Sequence, residues 1–134
     1  MNSNIYKEII LDHYKNPRNF GKMNGADIKV KDVNPLCGDE IEMQMKFNGS
    51  KLKEIKFTGQ GCAISMASAS LLSESAKGKR IDDLKKMNKD DILKLLGIDI
   101  SSVRLKCALL SLKAFKTGLY LFLGRNGEEK WENL

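Results

Sequence analysis

An unbroken alternation constrains this chain most: Ile41, Met43, Met45 and Phe47 take turns with Glu42, Gln44 and Lys46. A period of two is the signature of a strand with one buried face and one wet face. Asn48-Gly49 follows at once. Both residues tolerate positive φ, so a hairpin is predicted there, with its second strand over Leu52 to Thr58. Upstream, Ile28 and Val30 alternate with lysines ahead of Asn34-Pro35, which adds a strand before the hairpin. The expected sheet is a three-stranded antiparallel meander.

Around this block the pattern changes to helix. Asn4 to about Tyr14 reads as an amphipathic helix with Ile5, Ile9 and Ile10 on its apolar side, stopped by Asn16-Pro17. Residues 18 to 26, with Gly21 and Gly25, read as a loop. After the sheet, Ala63 to Lys77 is predicted helical with Gly78 as its stop, and Ile81 to Lys86 as a short turn of helix. Asn88 and Asp91 start a helix through Leu96 that Gly97 ends, and Ser101 or Ser102 caps a last helix from about Val103 to Tyr120. The charged end from Gly124 reads as frayed, with Trp131 free to dock. The expectation is one α+β domain over residues 1–134, a three-stranded antiparallel sheet packed by helices; this length supports a single hydrophobic core.

The chain has three cysteines, an odd number that cannot pair completely within it. No signal peptide is read at the start, and no stretch is read as approaching a membrane span. Together these features predict a reducing, cytoplasmic setting, in which cysteines serve as metal ligands or nucleophiles. A net charge of +6 is spread without a dense basic run or interleaved aromatics, so nucleic acid is not an expected partner. No Gly-rich phosphate loop precedes a helix, and Ser65, Ser68, Ser70, Ser73 and Ser75 have no base to activate them. These serines read as small helix-surface residues. His13, the lone histidine, reads as a surface or packing residue, and the six methionines as core filling.

Cys37 falls in the turn between the first two strands, Cys62 at the junction of the third strand with a helix, and Cys107 in the first turns of the last helix. Helix starts favour thiolate over thiol. Asp39 offers a carboxylate two residues after Cys37. Three thiolates and a carboxylate match a tetrahedral zinc site, or one edge of an iron–sulfur cluster. Sequence spacing does not force them together, and Cys107, flanked by Leu105, Leu109 and Leu110, equally reads as a small buried hydrophobe. Lys15, Arg18, Arg104 and Lys106 read either as a basic edge that attracts a partner or as ordinary solvated charge.

The local contexts carry a resemblance. Ile10-Leu11-Asp12-His13-Tyr14-Lys15-Asn16-Pro17-Arg18-Asn19-Phe20-Gly21, Asn34-Pro35-Leu36-Cys37-Gly38-Asp39 and Gly59-Gln60-Gly61-Cys62-Ala63-Ile64-Ser65 resemble iron–sulfur cluster scaffold proteins of the IscU/NifU family. Met66-Ala67-Ser68-Ala69-Ser70 and Arg104-Leu105-Lys106-Cys107-Ala108-Leu109-Leu110 look closest to its SufU-type branch. The resemblance implies a three-stranded sheet packed by helices. It also implies a scaffold, not itself an enzyme, that accepts sulfur from a cysteine desulfurase, assembles a 2Fe–2S cluster and passes it to acceptor proteins. In the SufU-type branch it implies a zinc-holding sulfurtransferase partner instead. By carry-over, Cys37, Asp39, Cys62 and Cys107 are the metal or cluster ligands, with Cys37 and Cys107 the candidate persulfide acceptors. A cluster shared between two copies is compatible with such a ligand set, as is a purely structural zinc domain. Two departures stand out: Lys106 occupies the place where IscU-type scaffolds carry a histidine, and the segment before Cys107 lacks the Leu-Pro-Pro-Val-Lys sequence that a chaperone reads. The stretch between Cys62 and Cys107 is also short for the SufU-type insertion.

Overall fold

β-Branched and unbranched apolar residues at every second position build the sheet. In the computed structural model, which describes residues 3–35 and 38–125, strands β1 (Ile28–Asn34), β2 (Asp39–Asn48) and β3 (Lys51–Gln60) form one antiparallel sheet in the order β1-β2-β3. Ile41, Met43 and Met45 of β2 are fully buried, as are Leu52, Ile55 and Phe57 of β3. The hairpin is shifted one residue from its expected place. Asn48 pairs with Lys51, so the loop is Gly49-Ser50, with Gly49 at φ 61°. A positive φ at the first loop residue alone is the pattern that asks for glycine there, and Asn48 stays in the strand.

Five helices complete the fold: α1 (Ser3–Lys15), α2 (Ala63–Ala76), α3 (Ile81–Lys86), α4 (Lys89–Leu96) and α5 (Ser102–Arg125). Helix α4 begins where its sequence signals place it. Asn88 and Asp91 form a reciprocal capping box, and Gly97 closes the helix at φ 70°. Helix α5 runs past the expected end at Tyr120, because Phe122 stacks on Phe47 with centroids 4.0 Å apart and Leu123 is buried. Trp131 and the chain from Asn126 lie outside the described residues. Contrary to the sequence reading, Ser102–Gly124 is long and apolar enough to cross a membrane by length and composition. Its packing against β1, β2, α2 and α4 accounts for that apolar content as core.

Two expectations fail on α1 and α2 for a shared reason. Helix α2 packs against α1, α4, α5 and β3, so it has little solvent face. Ser65, Ser68, Ser70 and Ser73 are therefore interior residues rather than surface ones. Their hydroxyls find partners inside: Ser65 donates to the Cys62 carbonyl, Ser68 to that of Ser65, and Ser73 to that of Ser70. Helix α1 buries Ile10 and His13 against this polar stripe and leaves Ile5, 52% accessible, outside. The Ser70 hydroxyl accepts the Arg18 amide (2.9 Å) and lies 2.7 Å from His13 Nδ1. That one hydroxyl thus ties both α1 and the loop after it to α2.

This burial has a pH consequence. Burial pushes the His13 pKa below its ordinary value of 6.5; the Arg18 charge adds to that, while Glu74 and Asp12 oppose it. The unfolded chain then holds more protons than the folded one below pH 6.5, so stability is full above that value and falls as pH drops through the window beneath it. Urea midpoints should decline on acidification from about pH 7 to about pH 5, less steeply in His13→Gln. An equally steep decline in that variant removes His13 from the account.

Candidate metal centre

The sheet register brings distant residues to one edge. Asn34 pairs with Asp39, and Glu40 pairs with Gln60, so the start of β2 lies beside both the end of β1 and the end of β3. Gly38, at φ 76°, donates its amide to Asn34 O and closes the turn ahead of Asp39. Beyond Gln60 the chain passes through Gly61 to Cys62, the N-cap residue of α2. Helix α5, packed beneath β1, carries Cys107 to the same place.

One ligand atom each from Asp39, Cys62 and Cys107 lies within 4.8 Å of the other two. Tetrahedral zinc with bonds of about 2.3 Å to sulfur sets its ligands about 3.8 Å apart, so this cluster needs little closing to hold an ion. The hollow they share is lined also by Gly38, Gln60, Gly61 and Arg104. Asp39 and Cys107 are each 4% accessible, and Cys62 is half-buried. Both cysteines are thiols, with no disulfide. Cys37 lies outside the described residues; its neighbours Pro35 and Gly38 border this edge.

Asp39 holds the arrangement together. Its Oδ1 accepts the Cys62 amide at 3.3 Å, and its Oδ2 lies 3.8 Å from Cys62 Sγ. Among the described residues no cationic side chain forms an ion pair with this buried carboxylate. A buried charge without a counter-charge is costly unless a cation meets it, and a metal ion supplies one. The donor set therefore fits a thiophilic metal. Cys62 itself is tuned by its surroundings. Burial pushes its thiol up and the Asp39 charge adds to that, but the Ser65 and Ile64 amides, with the Ser65 side chain beside them, outweigh both, so the net displacement is downward.

The lone histidine packs as one of its two sequence readings had it, and the basic residues fall in different places. His13 sits on α1 against Ser70, outside the Asp39–Cys62–Cys107 group. Arg18 binds Asp12 at 2.5 Å and the Asn16 carbonyl, so its charge is matched locally. Arg104 lines the hollow, and Lys106 is exposed beside it. Ser65 and Gly61 are supports that the sequence reading passed over. Ser65 is fully buried under Cys62, and Gly61 packs against both Ser65 and Asp39. The signal was present: Ser65 lies three residues beyond the N-cap, where a side chain reaches back to the helix start.

Fold and donor set together define a small α+β protein with two cysteines and an aspartate gathered at one sheet edge. The chain belongs to the NifU-like N-terminal domain family, whose model matches residues 5–129. It is 41% identical over 132 residues to the zinc-dependent sulfurtransferase SufU of Bacillus subtilis (strain 168), covering 86% of this chain and 89% of that one. It is 32% identical over 124 residues to the iron-sulfur cluster assembly scaffold protein IscU 1 of Archaeoglobus fulgidus, covering 92% and 80%. The crystal structure of FiSufU from thermophilic Fervidobacterium islandicum AW-1 superposes with a TM-score of 0.74 at 29% identity, covering 89% of this chain and 99% of that one.

Proposed function

We propose that this protein is an iron–sulfur cluster assembly scaffold, one domain over residues 1–134 working in the cytoplasm. It accepts sulfur from a cysteine desulfurase, assembles a 2Fe–2S cluster as cargo and passes it to acceptor proteins. The observation that carries this reading is the meeting of Asp39, Cys62 and Cys107 ligand atoms within 4.8 Å. Cys37 is assigned as the fourth ligand on its place in the turn before Asp39. Cys37 and Cys107 are the assigned sulfur acceptors.

The sulfur step is thiol exchange. A thiolate of this chain attacks the outer sulfur of the desulfurase persulfide; a new S–S bond forms, the old one breaks, and the enzyme thiolate leaves. Making sulfide from that sulfur takes two further electrons per atom from an external thiol reductant. Within the chain, the Asp39 Oδ1 bond to the Cys62 amide orients the loop, and the hydrogen bonds from Ser65 and Ile64 favour the Cys62 thiolate. Zinc, which these residues would also hold, keeps ligating cysteines deprotonated.

Anaerobic reconstitution with ferrous iron, cysteine, a desulfurase and dithiothreitol tests the reading: visible charge-transfer bands should persist through gel filtration. Asp39 is a harder, weaker iron ligand than thiolate. Asp39→Ala should therefore lengthen cluster lifetime in transfer assays, and a shorter lifetime counts against Asp39 as the release-side ligand. A second reading, a zinc-dependent sulfurtransferase that never holds a cluster, is supported by Lys106 ahead of Cys107 and by the similarity to the Bacillus protein. It predicts labelled sulfur on the protein without those bands.

A further inference from the structure

The end of the sheet away from the metal centre carries an aromatic platform. Phe47, near the end of β2, and Phe122, near the end of α5, stack with centroids 4.0 Å apart and planes 15° from parallel. Both rings are only partly buried. Phe122 lies fifteen residues beyond Cys107, about 22 Å along the helix, so platform and metal centre sit towards opposite ends of α5.

The surroundings are basic. Lys46 precedes Phe47, and Lys51 and Lys53 stand on the facing strand, where Lys51 also bridges to Arg80 beside Lys79. None of these five forms an ion pair among the described residues. Against them stand Glu54, near Lys46 in the ladder, and Asp27, whose carboxylate accepts the Phe47 amide. Cations remain in excess.

The sequence supplies a matching segment at the same place. Residues 126–134, which follow α5, hold Glu128, Glu129 and Glu132 against Lys130, a net charge of 1 − 3 = −2. They also hold Trp131, the only tryptophan of the chain. Asn126-Gly127, directly after the helix, is a turn signal. Trp131 is six residues past Arg125, a reach of about 20 Å, while Phe122 is only about 4.5 Å back along the helix. A tethered segment meets its site at high effective concentration, which favours the chain's own aromatic residue over one from solution.

We propose that residues 126–134 fold back on this platform, with Trp131 as a third ring beside Phe47 and Phe122 and the glutamates against the hairpin lysines. Aromatic rings gain from offset or edge-to-face contact beyond the area they bury. The surface is thereby occupied from within the chain, and the end of α5 opposite Cys107 is tied down.

The single tryptophan reads this out in the full chain. Trp131 emission should lie well to the blue of its emission in urea, and acrylamide should quench it several-fold less. Phe47→Leu, which keeps an apolar side chain but removes a ring, should shift emission to the red and raise quenching. Glu128→Lys combined with Glu129→Lys, a pair that leaves the platform intact, should do the same, as should high salt on the wild type. Deleting residues 126–134 should lower the urea midpoint. Wild-type emission and quenching equal to those of the unfolded chain overturn the proposal, and so does an unchanged midpoint in the deletion. A shielded Trp131 that neither substitution exposes also overturns it, because the ring then rests elsewhere. Shielding that vanishes on dilution overturns it by giving the platform to a second copy.

Discussion

Cys62→Ser and Cys107→Ser should each weaken zinc binding by about 100- to 1000-fold in a chelator competition. Structural zinc sites of four ligands bind with roughly 10–16 kcal/mol of apparent free energy, which leaves about 2.5–4 kcal/mol for each ligand. Both sulfurs belong to the cluster that lies within 4.8 Å, and serine nearly matches cysteine in size. The loss should thus come from the donor atom and not from repacking. His13→Gln is the control: it changes the sole histidine, which sits away from the cluster, and should leave affinity unaltered. Wild-type affinity in both cysteine variants would mean that the ion binds elsewhere.

A change as small as one methyl group should also disable the centre. A Cβ at Gly61 would run into the Ser65 hydroxyl and come within 2.8 Å of Asp39 Cγ and Oδ1. Ser65 is fully buried and Asp39 nearly so, which leaves little room for either to retreat. Overpacking of this kind costs about 1–3 kcal/mol. Because the Asp39 carboxylate and the Cys62 amide are bonded, both ligands shift together. Gly61→Ala should therefore unfold at lower urea and bind zinc about 10- to 100-fold more weakly, the range seen when a ligand's supporting contacts are lost. Gly49→Ala, strained by its positive φ but open to solvent on the hairpin loop, should lower stability while leaving metal affinity intact. Equal metal affinity in Gly61→Ala and wild type would show that Asp39 and Ser65 yield without cost.

Strands were legible because Ile41, Met43 and Met45 announce their period without interruption, and α4 because Asn88, Asp91 and Gly97 carry their own start and stop chemistry. The α2 serines were not legible as interior residues. A hydroxyl looks solvent-loving until the partners that satisfy it are known, and those partners (the Arg18 amide, His13, Asn19) come from more than fifty residues away. The end of α5 was missed for a like reason: Phe122 gains its place from Phe47 on a strand far back in the chain. At the centre, the residue types were readable but not their convergence, which depends on sheet register and on the docking of α5. Even then a periodic stripe of small residues, Ser65 and Ser68 followed by Ser70 and Ser73, hinted that α2 lies close to its neighbours on more than one side.

The three clustered side chains, Asp39, Cys62 and Cys107, are not mounted alike. Cys107 stands in the second turn of a 24-residue helix gripped by the sheet and two other helices, so it moves only if the core moves. Cys62 sits half-open where a strand hands over to a helix, and Asp39 at the very start of its strand. The cluster is built like a vice with one welded jaw: on the function proposed above, cargo would enter and leave on the side of the strand ends, where an acceptor protein would approach.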